Sequence, residues 1–249
     1  MVSTLSIAAV TVGAAAAFGA MAQPSDDWDY AGDAARGLSM ARVEYASGAG
    51  VFVQCQAGVL TVAIAETPLS AEAFASSMIE RPGERPAEVS WISTADRRLA
   101  TSSSRRVARL FYRGGAVRMR SIEGEGQPFR TEFDVPVQGR GLAQVLGDCG
   151  TPLTDDRDLL PSAEPLLTAI PAVSFPRRYS PRRGERQWVE ISCIVRQARL
   201  SDCRSDLQIP ANPEAGAAVA REAEGTPVRV SDVAAAEGGV IDIQVTGSR

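Results

Sequence analysis

Two cysteines set in a run of strand-forming residues near the C-terminal end constrain this chain more than any other feature. The run is Trp188-Val-Glu-Ile-Ser-Cys193-Ile-Val195, dense in apolar and β-branched residues as in a half-buried strand. A polar break follows at Arg196-Gln197-Ala198-Arg199, and a second run opens at Leu200-Ser-Asp-Cys203. A hairpin centred on Ala198 sets Cys193 opposite Cys203. Opposed residues of a non-hydrogen-bonded antiparallel pair have Cα atoms about 4.5 Å apart, which suits a cross-strand disulfide. Two unrelated buried cysteines are the other way to read the same pair.

The stretch after the hairpin continues the pattern. Pro213-Glu214-Ala-Gly-Ala-Ala-Val-Ala-Arg-Glu-Ala-Glu224 reads as a helix, with proline in its first turn and Gly225 as a stop. Gly239-Val-Ile-Asp-Ile-Gln-Val245 sets Val240, Asp242 and Gln244 against Ile241, Ile243 and Val245, the alternation of a half-buried strand. With Tyr179-Ser180-Pro181, Cys193-x-Val195, Leu200-Ser-Asp-Cys203 and this closing strand, residues 174–249 resemble the C-terminal domain of TonB-family energy transducers. The cysteine-bearing hairpin is similar to a variant of that domain in alphaproteobacteria. The resemblance implies a small ββαβ α+β domain that grips a partner's extended segment by adding it to a sheet edge. It covers under a third of the chain.

At the other end, residues 1–22 read as an export signal: an apolar, uncharged run from Leu5 to Phe18, then Ala20-Met21-Ala22 as a small-x-small cleavage site before Gln23. A retained anchor is the rival; the run is short and rich in Ala and Gly rather than Leu. No other segment is apolar enough to span a membrane, so the expected location is the periplasm. Four cysteines are an even number, consistent with two bridges in an oxidising compartment. Cys55 and Cys149 are the pair left over.

Residues 23–150 read as a β-rich domain, sandwich or barrel-like. Asp26, Asp27, Asp29 and Asp33 form a solvated acidic lead-in. Val51–Cys55 and Val59–Ile64 form a hairpin around Gly58, and 89–92, 108–112, 116–122 and 129–135 follow as strands. Arg113-Gly114-Gly115 is the expected turn between the second and third of these. The stretch 70–79 is a short helix or a loop, and 141–146 a short closing helix before Cys149. Residues 151–173, punctuated by Pro161, Pro165 and Pro171, read as a linker. It is far shorter than the spacer of a transducer that reaches across a periplasm.

Composition removes much chemistry. The chain has no histidine and no lysine, so His-based triads, histidine metal ligands and lysine Schiff bases are out. The cysteine spacings do not make a zinc site, and no cofactor is expected. A formal net charge of −4 argues against generic nucleic-acid binding. Paired carboxylates at Glu123/Glu125 and Asp155/Asp156/Asp158 fall in a turn and the linker, and Gly124-x-Gly126 has no helix after it. The hydroxyl residues at 101–104 have no base to activate them. A non-enzymatic module that binds an envelope protein is the leading expectation. An energy transducer for outer-membrane transport and an envelope hydrolase with unplaced carboxylates are the alternatives.

Two arginine runs stand out. One comprises Arg97, Arg98, Arg105, Arg106, Arg109, Arg113, Arg118 and Arg120, with no acid between Arg97 and Arg120. Arg118 and Arg120 alternate with Val117 and Met119 and so share an outward face, a candidate for anionic ligands. The other comprises Arg177, Arg178, Arg182, Arg183 and Arg186. Candidate partner-binding residues are Val240, Asp242 and Gln244 on the closing strand, with Arg177, Arg178, Arg182 and Arg183 beside it.

Overall fold

The computed structural model describes residues 27–65, 74–84, 86–93, 98–101, 104–122, 129–180, 186–209 and 213–248. The export segment, Arg97, Glu123, Glu125, the Gly124-x-Gly126 pair, Arg182 and Arg183 lie outside them. The chain is a β-rich α+β protein with two hydrophobic cores, one drawn from Trp28 to Cys149 and the other from Ala163 to Val245.

The first core is wrapped by nine strands: β1 (Asp29–Asp33), β2 (Leu38–Glu44), β3 (Gly50–Gln56), β4 (Val59–Ala65), β5 (Phe74–Glu80), β6 (Ala87–Ser93), β7 (Arg98–Thr101), β8 (Gly115–Ser121) and β9 (Arg130–Val135). They make one antiparallel sheet in the order β1-β2-β3-β4-β7-β6-β5-β8-β9. This is a single continuous sheet and not the two packed sheets of a sandwich. It curls far enough for Tyr45, just past β2, to reach Phe133 on the last strand, ring centroids 5.8 Å apart. Two helices fill the concave side, α1 (Ser104–Tyr112) and α2 (Arg140–Asp148), contributing Val107, Leu110, Phe111, Leu142, Val145 and Leu146 to the core.

Three expectations for this lobe are corrected. The segment 108–112 is helical, not a strand. Across 104–112 Val107, Ala108, Leu110 and Phe111 are buried, while Arg105, Arg109 and Arg113 recur every four residues on another face. Gly114 is the stop of α1, not a hairpin turn. Its amide bonds the Phe111 carbonyl at φ +69, and a Cβ there would lie 2.6 Å from the Pro136 carbonyl oxygen. The segment expected as a helix or loop at 70–79 contributes β5 from Phe74. The lead-in also carries more structure than expected, because β1 lies in it and β2 follows directly.

The second lobe holds β10 (Leu167–Ala169), β11 (Arg186–Arg196), β12 (Arg199–Ile209), α3 (Pro213–Ala223), β13 (Arg229–Val230), α4 (Val233–Ala236) and β14 (Val240–Ser248). Its main sheet has the order β12-β11-β14, both pairings antiparallel. α3 covers one face, packing Val219 and Ala223 over Val189, Ile191, Cys193, Ile241 and Ile243.

The hairpin turns at Gln197-Ala198, one half-residue before the expected centre, since Arg196 pairs with Arg199. Both turn residues are left-handed, φ 52 and 55, without the glycine or asparagine such a turn favours. Long-range bonds hold them: Gln197 N–H donates to Glu237 at 2.8 Å, and Val228 N–H donates to the Ala198 carbonyl at 2.9 Å. A bulge at Asp202, φ 47, then adds one residue to β12 and carries Cys203 back opposite Cys193. The two are bonded, Cα atoms 4.1 Å apart. Cys55 and Cys149 form the other bridge, tying β3 to the end of α2. No helix among the described residues is long and apolar enough to cross a membrane.

Candidate functional site

The three-stranded sheet has two edges, and β14 is one of them. Along a strand the main-chain groups of alternate residues point to the same side. At Val240 the side away from β11 is occupied: its N–H donates to the Pro161 carbonyl and its carbonyl accepts from Ala163 N–H, both 2.9 Å. Asp242 N–H donates to the Glu164 carboxylate, again at 2.9 Å. Beyond Asp242 the outer edge at Gln244 and Thr246 has no described segment against it. The expected linker is therefore a cover. Pro161 to Glu164 caps the first half of the β14 edge and, among the described residues, leaves the second half open.

The two halves differ in side chains as well. Val240 is fully buried. Asp242, expected on a solvent face, points at α1, where its carboxylate lies 3.7 Å from Arg106. Neither residue is placed to meet a partner. Gln244 is exposed, with Ile243 and Val245 beside it turned into the core. Arg177 and Arg178 are exposed on a short 3-10 turn, with the Arg178 guanidinium 4.8 Å from the Tyr179 ring centroid. Tyr179 Oη donates to Glu214 at the start of α3, which places this turn at the end of the sheet where β12 and β14 finish.

The face of the sheet opposite α3 carries Glu190, Ser192 and Asp242, and α1 lies against it with its arginines. Arg109 makes two 2.8 Å bonds to Asp158, one from Nε and one from Nη2, and lies 3.7 Å from Asp155. Arg113 joins the same carboxylate at 2.6 Å and also meets Glu84. Arg105 donates to the Ser205 carbonyl at 3.1 Å. The neighbouring Arg157 turns the other way, donating to the Ser192 carbonyl and hydroxyl at 2.8 and 2.9 Å and to Asp202. Residues 155–158 thus clasp one lobe with an acid and the other with an arginine. Arg105, Arg106, Arg109 and Arg113 of the arginine run form a structural seam, and its acids come from far along the chain.

Charge in the seam is tuned by its neighbours. Burial works against the Asp158 carboxylate, but the Arg109 bonds and the charges of Arg109, Arg113 and Arg106 hold its pKa below the usual range. Asp206 is raised, by burial first and then by the nearby Asp242 charge, against the pull of a Ser192 bond and of Arg109 and Arg105. The expected anionic-ligand face is also self-neutralised: Arg118 pairs with Glu132 on β9 at 2.8 Å and Arg120 with Glu80 on β5 at 2.7 Å. Among the described residues no group of three or more Cys, Asp or Glu side chains is arranged to hold a metal ion. No family model, curated protein or solved structure matches this chain.

Proposed function

We propose that this is an exported, non-enzymatic binding module of the cell envelope that takes up an extended segment of a protein partner on the open half of β14. The observation that carries the reading is the edge itself: capped over Val240–Asp242 by Pro161, Ala163 and Glu164, and exposed at Gln244 and Thr246 with no segment against it among the described residues. A segment laid there gains main-chain hydrogen bonds while Ile243 and Val245 stay in the core. Arg177 and Arg178, at that end of the sheet, set the orientation of an acidic partner more than its affinity. The resemblance of residues 174–249 to TonB-family C-terminal domains favours the same mode of binding. Two disulfides suit an oxidising compartment.

In-cell photocrosslinking tests it. Benzoylphenylalanine at Thr246 should trap a discrete envelope protein, and the same group at exposed Val233 should not. Gln244→Pro, which removes a donor from the open half, should abolish the Thr246 adduct. The absence of an adduct at Thr246, or one that survives the proline, would overturn the reading.

A further inference from the structure

The other edge of the same sheet, β12, forms one wall of a groove of about 430 Å³ against α3. Its floor is kept open by small side chains, Ala217 and Ala220, with Cys203 beside them. Before the groove, β12 is covered by main chain: Leu200 N–H donates to the Thr226 carbonyl and Gly225 N–H to the Leu200 carbonyl. From Cys203 onward the cover changes in kind. Cys203 N–H is met by a carboxylate oxygen of Glu224 at 2.5 Å, and the Ser205 carbonyl by the Arg105 guanidinium. A carboxylate stands where an incoming strand's carbonyl would sit, and a guanidinium where its amide would sit. The two capped groups are two residues apart, the spacing of one side of a strand.

The groove is also cationic. Arg105, Arg204 and Arg221 line it against the single acid Glu224. Arg221 is exposed on α3 and has no acid partner among the described residues. Arg204 shares only a loose contact with Asp202 at 3.3 Å, both side chains about half exposed. Arg204, opposite Ser192 on β11, belongs to the α1 face of the sheet and Arg221 to the α3 side. An extended peptide alternates its side chains between the two faces, so acidic residues at successive positions present carboxylates to both.

We infer that the β12–α3 groove is a second docking site, for an extended acidic peptide segment. The segment takes over the Cys203 N–H and Ser205 carbonyl from Glu224 and Arg105 while its carboxylates pair with Arg204 and Arg221. The site stands apart from the β14 edge and does not depend on it.

Fluorescence anisotropy on residues 23–249 tests this, with a labelled ten-residue peptide in which Glu-Glu pairs alternate with Val-Val pairs, so that both faces of the strand carry carboxylates. The peptide should bind, its Lys-for-Glu counterpart should not, and the version N-methylated on alternate amides should bind at least tenfold more weakly. The double variant Arg204→Glu/Arg221→Glu, shown folded by circular dichroism, should also weaken binding at least tenfold. Benzoylphenylalanine at Ala217 should crosslink the bound peptide, and the same group at Thr246 should not. Equal binding of the N-methylated peptide, full competition by inorganic phosphate, unchanged affinity in the charge-reversed variant, or crosslinking at Thr246 alone would each overturn the inference.

Discussion

Asp158 is the residue on which the seam depends most. Its side chain is 3% exposed and binds two arginines, one of them, Arg109, equally buried at 4%. Removing one partner of such a pair leaves a buried charge without compensation, which costs about 3–5 kcal/mol. Asp158→Ala should therefore lower stability in urea by that order, while Arg109→Met/Asp158→Leu should recover much of the loss; a change below about 1 kcal/mol in the single variant would contradict the burial. The pH dependence has two limbs of opposite sign. Asp158, with its folded pKa depressed, contributes stability that is present above its unfolded pKa and lost as pH falls below it through the folded value. Asp206, with its folded pKa raised, binds more protons folded than unfolded, so its contribution weakens as pH rises through the interval between the two. Asp206→Asn should stabilise the protein at neutral pH and remove that second limb from a melting-temperature profile. A variant that melts below wild type at pH 7 with the same profile would show that Asp206 is not strained.

At the scale of elements, legibility followed the size of the buried side chains. β4 alternates Leu60, Val62 and Ile64 inward, and β11 packs Val189, Ile191, Cys193 and Val195; both are plain in the residues. β2 buries Ser39, Ala41 and Val43, too small and too polar to show an alternation. α1 was hidden for another reason, because Ala108 to Tyr112 alone fits a strand and only the arginine spacing over nine residues shows the helical period. The β11–β12 hairpin carries no glycine at its turn, and its bulge is invisible in composition, yet half a residue of error in the centre and one bulge residue together leave the cysteine pairing intact. The two bridges should contribute unequally. In the chain-entropy model the Cys55–Cys149 loop is worth roughly 4–5 kcal/mol and the Cys193–Cys203 loop about 3. Cys193→Ser/Cys203→Ser should cost less than Cys55→Ser/Cys149→Ser in chemical denaturation, because β11 still pairs on both sides. The reverse order would contradict the larger loop's role.

At the scale of the whole molecule, the part hardest to foresee was how the two lobes meet. An arginine run with few acids near it looks like a free cationic surface until folding brings Asp155, Asp158 and Asp242 to it from far along the chain. Pairings of that separation leave no local signature. The stretch 151–173 was legible as a break in composition, but its work is long-range: Asp158 and Arg157 join the lobes, and Pro161 to Glu164 divide the β14 edge into a covered and an open half. Of the closing-strand candidates only Gln244 remains at the open half, since Val240 and Asp242 are used by the fold. Residue-resolved amide hydrogen exchange on the free protein examines that division most directly. Val240 and Asp242, bonded to the cover, and Ile243 and Val245, bonded to β11, should be protected, while Gln244 and Thr246 exchange at least a hundredfold faster. Equal protection along Val240–Thr246 would mean that the edge is closed, and would contradict strand addition at β14.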